Sequence, residues 1–124
     1  MPDWTYLTPE QVITLAEQHG ASPVRDLGQL EAALGAPAAS AFGQDMHIEV
    51  AGKAAALMHS VVKVHHPFID GNKRAGAASM LAFCYLNGFV PKISPSELVA
   101  ITMLLAGGEL DRDQLTEFLR TRMI

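Results

Sequence analysis

Three stretches of this chain signal a helix start in the same local grammar, and that repetition constrains the fold more than any other feature. In Leu7-Thr8-Pro9-Glu10-Gln11-Val12, a threonine stands at the N-cap, proline takes the first helical position and glutamine follows three residues on. Leu7 and Val12 are spaced to close over that turn as a hydrophobic staple. Ile93-Ser94-Pro95-Ser96-Glu97-Leu98 repeats the arrangement, and Leu110-Asp111-Arg112-Asp113-Gln114-Leu115 repeats it without the proline. The first helix is expected to run to about His19 and stop at Gly20; the other two begin the last helices of the chain.

The middle of the chain reads the same way. A shorter helix is expected from Asp26 through Leu34, ended by Gly35 and Pro37, with residues 36 to 46 as a loop placed to act as a flap beside a site. From about His47 to Val64 the apolar residues form two adjacent helical rows, Val50/Ala54/Leu57/Val61 and Ala51/Ala55/Met58/Val62. Glu49, Lys53, Ser60 and Lys63 occupy another face, and the Lys53/Lys63 side is expected to be solvated. A further helix should begin near Asn72 and stop at Asn87-Gly88. Its early Ala75, Gly76, Ala77, Ala78 and Ser79 permit close approach, which places it at the bundle centre with its N-terminus open. No strand alternation, repeat or linker interrupts the pattern, so the expectation is one compact all-α domain of about six helices over residues 1–124.

Composition narrows the function classes. At 49% hydrophobic and 18% charged residues, a chain of 124 residues can bury a real core. A net charge of −4 argues against general binding to nucleic acid, whose phosphates attract clustered Lys and Arg. One cysteine, Cys84, forms no disulfide within the chain and is expected as a buried core thiol. The start of the sequence lacks a basic, apolar leader, and the apolar stretch from Leu98 to Gly108 falls short of the roughly 18 to 20 residues that span a bilayer. The expected location is the cytoplasm, with no membrane association. His19, His47 and His59 lack metal-ligand spacing, so no zinc site is expected, and no P-loop occurs. Met58, Met80 and Met103 are expected to fill the core, and His65 to satisfy last-turn carbonyls.

The segment that carries chemistry is His66-Pro67-Phe68-Ile69-Asp70-Gly71-Asn72-Lys73-Arg74. Pro67 disfavours helical geometry at His66, so the preceding helix should end there and release the imidazole into a turn. Gly71 admits backbone geometries closed to other residues and precedes a helix whose first N–H groups lack partners, a natural anion site. Asn72, Lys73 and Arg74 add donors and positive charge at the same place. Asp70 opposes a bare phosphate but suits a hydrated Mg²⁺ bridging polyphosphate oxygens. A neutral histidine beside such a site can take the proton of an attacking hydroxyl. The residues therefore specify phosphoryl or nucleotidyl transfer, although loops rich in Gly, Asn and Asp also serve as plain helix connections.

These nine residues resemble the Fic-family loop His-x-Phe-x-(Asp/Glu)-(Gly/Ala)-Asn-x-Arg, and Lys73 after Asn72 makes the segment similar to the Doc (death-on-curing) branch. Similarity extends through Arg25 to Leu34, Lys53 to Met58, and Asn87-Gly88-Phe89. The resemblance implies His66 as general base, Asp70 as the Mg²⁺ ligand, and Gly71, Asn72, Lys73 and Arg74 as the anion-binding turn for ATP. AMP-transferring members usually carry Gly at the position of Lys73 and a second Arg at that of Ala77. Both departures imply transfer of the ATP γ-phosphate to a hydroxyl of a target protein, a translation factor, by a toxin that an antitoxin masks. The family's internal inhibitory motif is absent, since none of the seven Glu residues is followed by Gly or Asn. An AMP transferase and a non-catalytic antitoxin-binding module are the competing readings. Arg25-Asp26, within the matching region, suits either a substrate contact or a helix-start cap.

Overall fold

The structure is a computed structural model that describes residues 3–41 and 44–123. Six α-helices follow in order: α1 (Pro9–Gln18), α2 (Leu27–Gly35), α3 (Val50–His59), α4 (Asn72–Leu86), α5 (Pro95–Gly107) and α6 (Arg112–Arg122). The three helix starts fold as their sequences dictate. Thr8, Ser94 and Asp111 each accept from the backbone N–H three residues on, while Gln11, Glu97 and Gln114 return the bond to the cap's own N–H. Asp26 caps α2 by accepting from Gln29 N. Each cap satisfies donors that the helix leaves unpaired and contributes about 1 kcal/mol.

The deepest element is α3, whose residues from Val50 to Met58 are all buried. It packs on α4 along one side and α6 along another, which accounts for its two apolar rows. Helix α4 turns Ala75, Gly76, Ser79, Met80, Phe83 and Cys84 inward and also packs on α1 and α5. Gly76 is required there: a Cβ at this position would lie 2.3 Å from Val62 Cγ2. The ring of Phe83 stacks against Trp4 and Tyr6 at 6.4 and 6.0 Å, which closes the core on the N-terminal side. Cys84 is buried, as expected, and burial pushes its thiol pKa up to about 12.

Several expectations give way. Lys53 is fully buried, not solvated. Its ammonium donates to Tyr6 Oη and Pro37 O, each at 3.0 Å, pairs with Asp45 Oδ2 at 3.5 Å, and lies over the Trp4 and Tyr6 rings at 5.3 and 5.4 Å. Helical periodicity cannot show that polar and aromatic partners converge on one face from residues 4 to 45. Ser60 is buried as well, and Lys63, although exposed, donates to Ala106 O at 3.1 Å near the end of α5. Met103 is 55% exposed, so it does not fill the core as Met58 and Met80 do. The loop expected over 36–46 contains a 3₁₀ turn (Ala36–Ala38) and a small antiparallel hairpin, β1 (Ser40–Ala41) with β2 (Gln44–Asp45). Strands of two residues leave no readable alternation. Residues 42 and 43 of that loop lie outside the described residues. Among the described residues no helix is long and apolar enough to cross a membrane.

Candidate active site

The helix that delivers the site changes character before it ends. After His59 the winding widens into a π segment, Ser60–His65, and Pro67 then denies it a further N–H. His66 takes the left-handed conformation, with φ 45° and ψ 60°, alone among the described non-glycine residues in having positive φ. Such a conformation costs roughly 1–3 kcal/mol and persists only where surrounding contacts fix it.

Those contacts come from the segment before α2. Arg25 Nε donates to His66 O at 3.0 Å, Arg25 Nη2 donates to His65 O at 2.8 Å, and Arg25 N donates to Pro67 O at 2.7 Å. Val24 and Phe68 form an antiparallel bridge, continued by Ile69 N to Pro23 O at 3.1 Å and Ser22 N to Asp70 O at 3.0 Å. The His65 ring meets Gln29 Oε1 at 2.6 Å through Nδ1, so this histidine is held by α2 and does not satisfy last-turn carbonyls. Phe68 is buried and anchors the loop in the core.

The turn into α4 is equally determined. Asn72 Oδ1 accepts from Phe68 N and its Nδ2 donates to Phe68 O, both at 2.9 Å. The carboxamide therefore braces the loop, and what remains of Asn72 for an anion is its backbone N–H. Gly71 has φ 86°, and a Cβ there would stand 2.7 Å from Ala21 Cα, so only glycine fits. The first bond of the helix runs from Ala75 N to Gly71 O, leaving the N–H groups of Asn72, Lys73 and Arg74 at the open end. Arg74 Nη2 donates to Gly20 O at 3.2 Å and stands 4.0 Å from Asp70 Oδ2. The Asp70 side chain is 79% exposed, so its oxygens are accessible to a cation.

A cavity of about 390 Å³ is lined by His66, Asp70, Gly71, Asn72, Lys73 and Arg74 with Val62, Ile69 and Ala106. All six residues singled out in the sequence thus border one space. Among the described residues no group of three or more His, Cys, Asp and Glu could hold a metal on its own. One carboxylate with phosphate oxygens and water is nevertheless a donor set that magnesium accepts. A second, apolar groove of about 350 Å³ between α4 and α5 adjoins the first at Lys73 and Arg74, and Ala77, Leu81, Leu98, Val99 and Met103 form its walls.

The sequence leaves the role of Arg25 open and assigns none to Gln29. Asp26 proves to be the helix cap and Arg25 the partner of the loop carbonyls. The signal was only the presence of both residues in a segment of family resemblance.

A family model described as the Fic/DOC family matches residues 6–84, which include the whole loop. The chain is also 39% identical over 85 residues to a protein named Toxin Doc from Mycolicibacterium smegmatis. That match covers 67% of this chain and 65% of the relative.

Proposed function

As the chain belongs to the Fic/DOC family, we propose that it is a Doc-like toxin that transfers the γ-phosphate of ATP to a hydroxyl of a target protein, a translation factor. The observation that carries this reading is the convergence of a loop imidazole, an exposed carboxylate and a cationic helix N-terminus on one cavity of about 390 Å³.

In the proposed reaction His66 takes the proton of the target hydroxyl as its oxygen forms a bond to the γ-phosphorus. The bond from that phosphorus to the β–γ bridging oxygen breaks, and ADP leaves. The N–H groups at the start of α4, with Lys73 and Arg74, hold the phosphate and stabilise the charge that spreads over its oxygens. Asp70 is the residue that would hold Mg²⁺, and the ion would supply charge that neutralises the phosphates. Lys73 occupies the space beyond Asn72 and attracts the most highly charged end of the nucleotide, which orients the γ-phosphorus toward His66. The apolar Ala77 wall offers no charge to outer phosphates in the opposite orientation.

The proposed control of such an enzyme is by a separate antitoxin protein, a partner suggested by the similarity to a protein named Toxin Doc. ATP labelled at the α or the γ position, incubated with the protein and cell lysate, tests the reaction. Label from the γ position on a protein band supports it; label from the α position identifies an AMP transferase, and neither label identifies a binding module.

A further inference from the structure

The geometry points to Arg25 as a positioning residue for His66, acting through the peptide backbone of the site loop; the inference rests on the phosphotransfer reading above. Three successive carbonyls, those of His65, His66 and Pro67, accept hydrogen bonds from this one residue. They need an external donor because the chain leaves the helix at His66, and the next N–H groups, those of Phe68 and Ile69, donate elsewhere, to Asn72 Oδ1 and Pro23 O. A guanidinium suits the first two, since Nε and Nη2 form a planar fork that spans two oxygens at once, which a single ammonium cannot do. Its positive charge also faces the negative end of a helix, where cations are favoured.

The consequence for His66 is conformational. Among the described residues the His66 ring makes no hydrogen bond that would fix its left-handed backbone, and the carbonyl on either side of its Cα is held by the Arg25 side chain. One turn into α2, Gln29 fixes the preceding His65 ring, and the Val24–Phe68 bridge fixes the following residues. The base is thereby presented to the cavity at one angle and depth. Arg25 itself does not line that cavity, which separates its role from the residues that touch phosphate.

Arg25→Ala and Arg25→Lys, compared with wild type, test the assignment through two independent readouts. One is the initial rate of γ-label transfer to the lysate target across a range of MgATP concentrations. The other is amide hydrogen exchange at Ile69, whose N–H donates to Pro23 O within the clamped ladder. In Arg25→Ala the rate at saturating MgATP should fall roughly 10- to 100-fold with an unchanged half-saturating concentration, as expected for a misplaced catalytic group. Ile69 exchange should rise about tenfold as the ladder opens locally. Arg25→Lys should resemble the alanine variant more than wild type, because charge without the fork does not hold both carbonyls. A slowed rate with unchanged exchange would mean that Arg25 meets substrate directly, and faster exchange with an unchanged rate would mean that the clamp does not position His66; either overturns the assignment. If wild-type protein transfers no label at all, the phosphotransfer reading fails separately. Ile69 exchange and the imidazole nitrogen shifts of His66 then decide the clamp alone, and identical values in wild type and Arg25→Ala would refute it.

Discussion

At the scale of the residue, the proposed function divides the work of holding a triphosphate between Lys73 and Asp70. Lys73 is exposed at the open end of α4 and borders both the polar cavity and the apolar groove. Lys73→Gly should sharply reduce phosphoryl transfer and, by reopening the turn, allow slight AMP transfer that Ala77 keeps inefficient. The mass increment on the modified target distinguishes the two products, and unchanged phosphorylation by Lys73→Gly would remove this residue from donor orientation. Asp70→Asn keeps the shape but loses the charge a hard cation prefers, so it should weaken activity that a chelator abolishes in the wild type. Equal turnover with and without divalent metal would contradict that role. Both residues were legible in the sequence as neighbours at one cavity, because that placement follows from their order along one loop. Arg25 was not, since its partners are backbone carbonyls 40 and 41 positions away.

At the scale of the element, helix boundaries were legible wherever capping chemistry is local. Thr8, Asp26, Ser94 and Asp111 all cap helices within the structure. The end of α3 was legible only in part: Pro67 marks where the winding stops, but nothing local marks the π segment that precedes it. That widening accompanies the close crossing of Val62 and Gly76, a contact between separate helices. Lys53 illustrates the same limit, because the partners of its buried ammonium, Tyr6, Pro37 and Asp45, come from three other segments. Lys53→Met retains the stem but leaves Pro37 O and Tyr6 Oη without their donor. The expected loss is about 1–3 kcal/mol, read from urea unfolding, as for other buried groups deprived of a partner. A gain in stability would show that desolvating the ammonium outweighs its hydrogen bonds and ring contacts.

At the scale of the whole molecule, acid should weaken the fold in two steps. His47 and His59 have pKa values lowered below 6.5, first by burial and next by the nearby charge of Arg112. The unfolded chain therefore binds more protons than the folded one in the window below 6.5, so stability is complete above that pH and declines as pH falls through it. Glu97 acts lower down. Its pKa is held below 4.5 first by the Ser94 backbone N–H and then by Arg122, so its contribution is lost as pH falls through that lowered value. The urea midpoint should hold steady above about pH 7 and decline as pH falls below 6.5, and replacing His47 and His59 together by Gln should flatten that decline. A wild-type midpoint constant from about pH 7 to 5 would refute the histidine contribution. The central claim concerns chemistry at His66, and mass spectrometry of the target recovered after reaction with ATP tests it most directly. Wild-type protein is expected to add a phosphate, and a folded His66→Ala variant to add none, since general-base assistance is worth about 10²–10⁴ in rate. An AMP-sized addition by the wild type, or equal phosphorylation by the two proteins, would contradict the account.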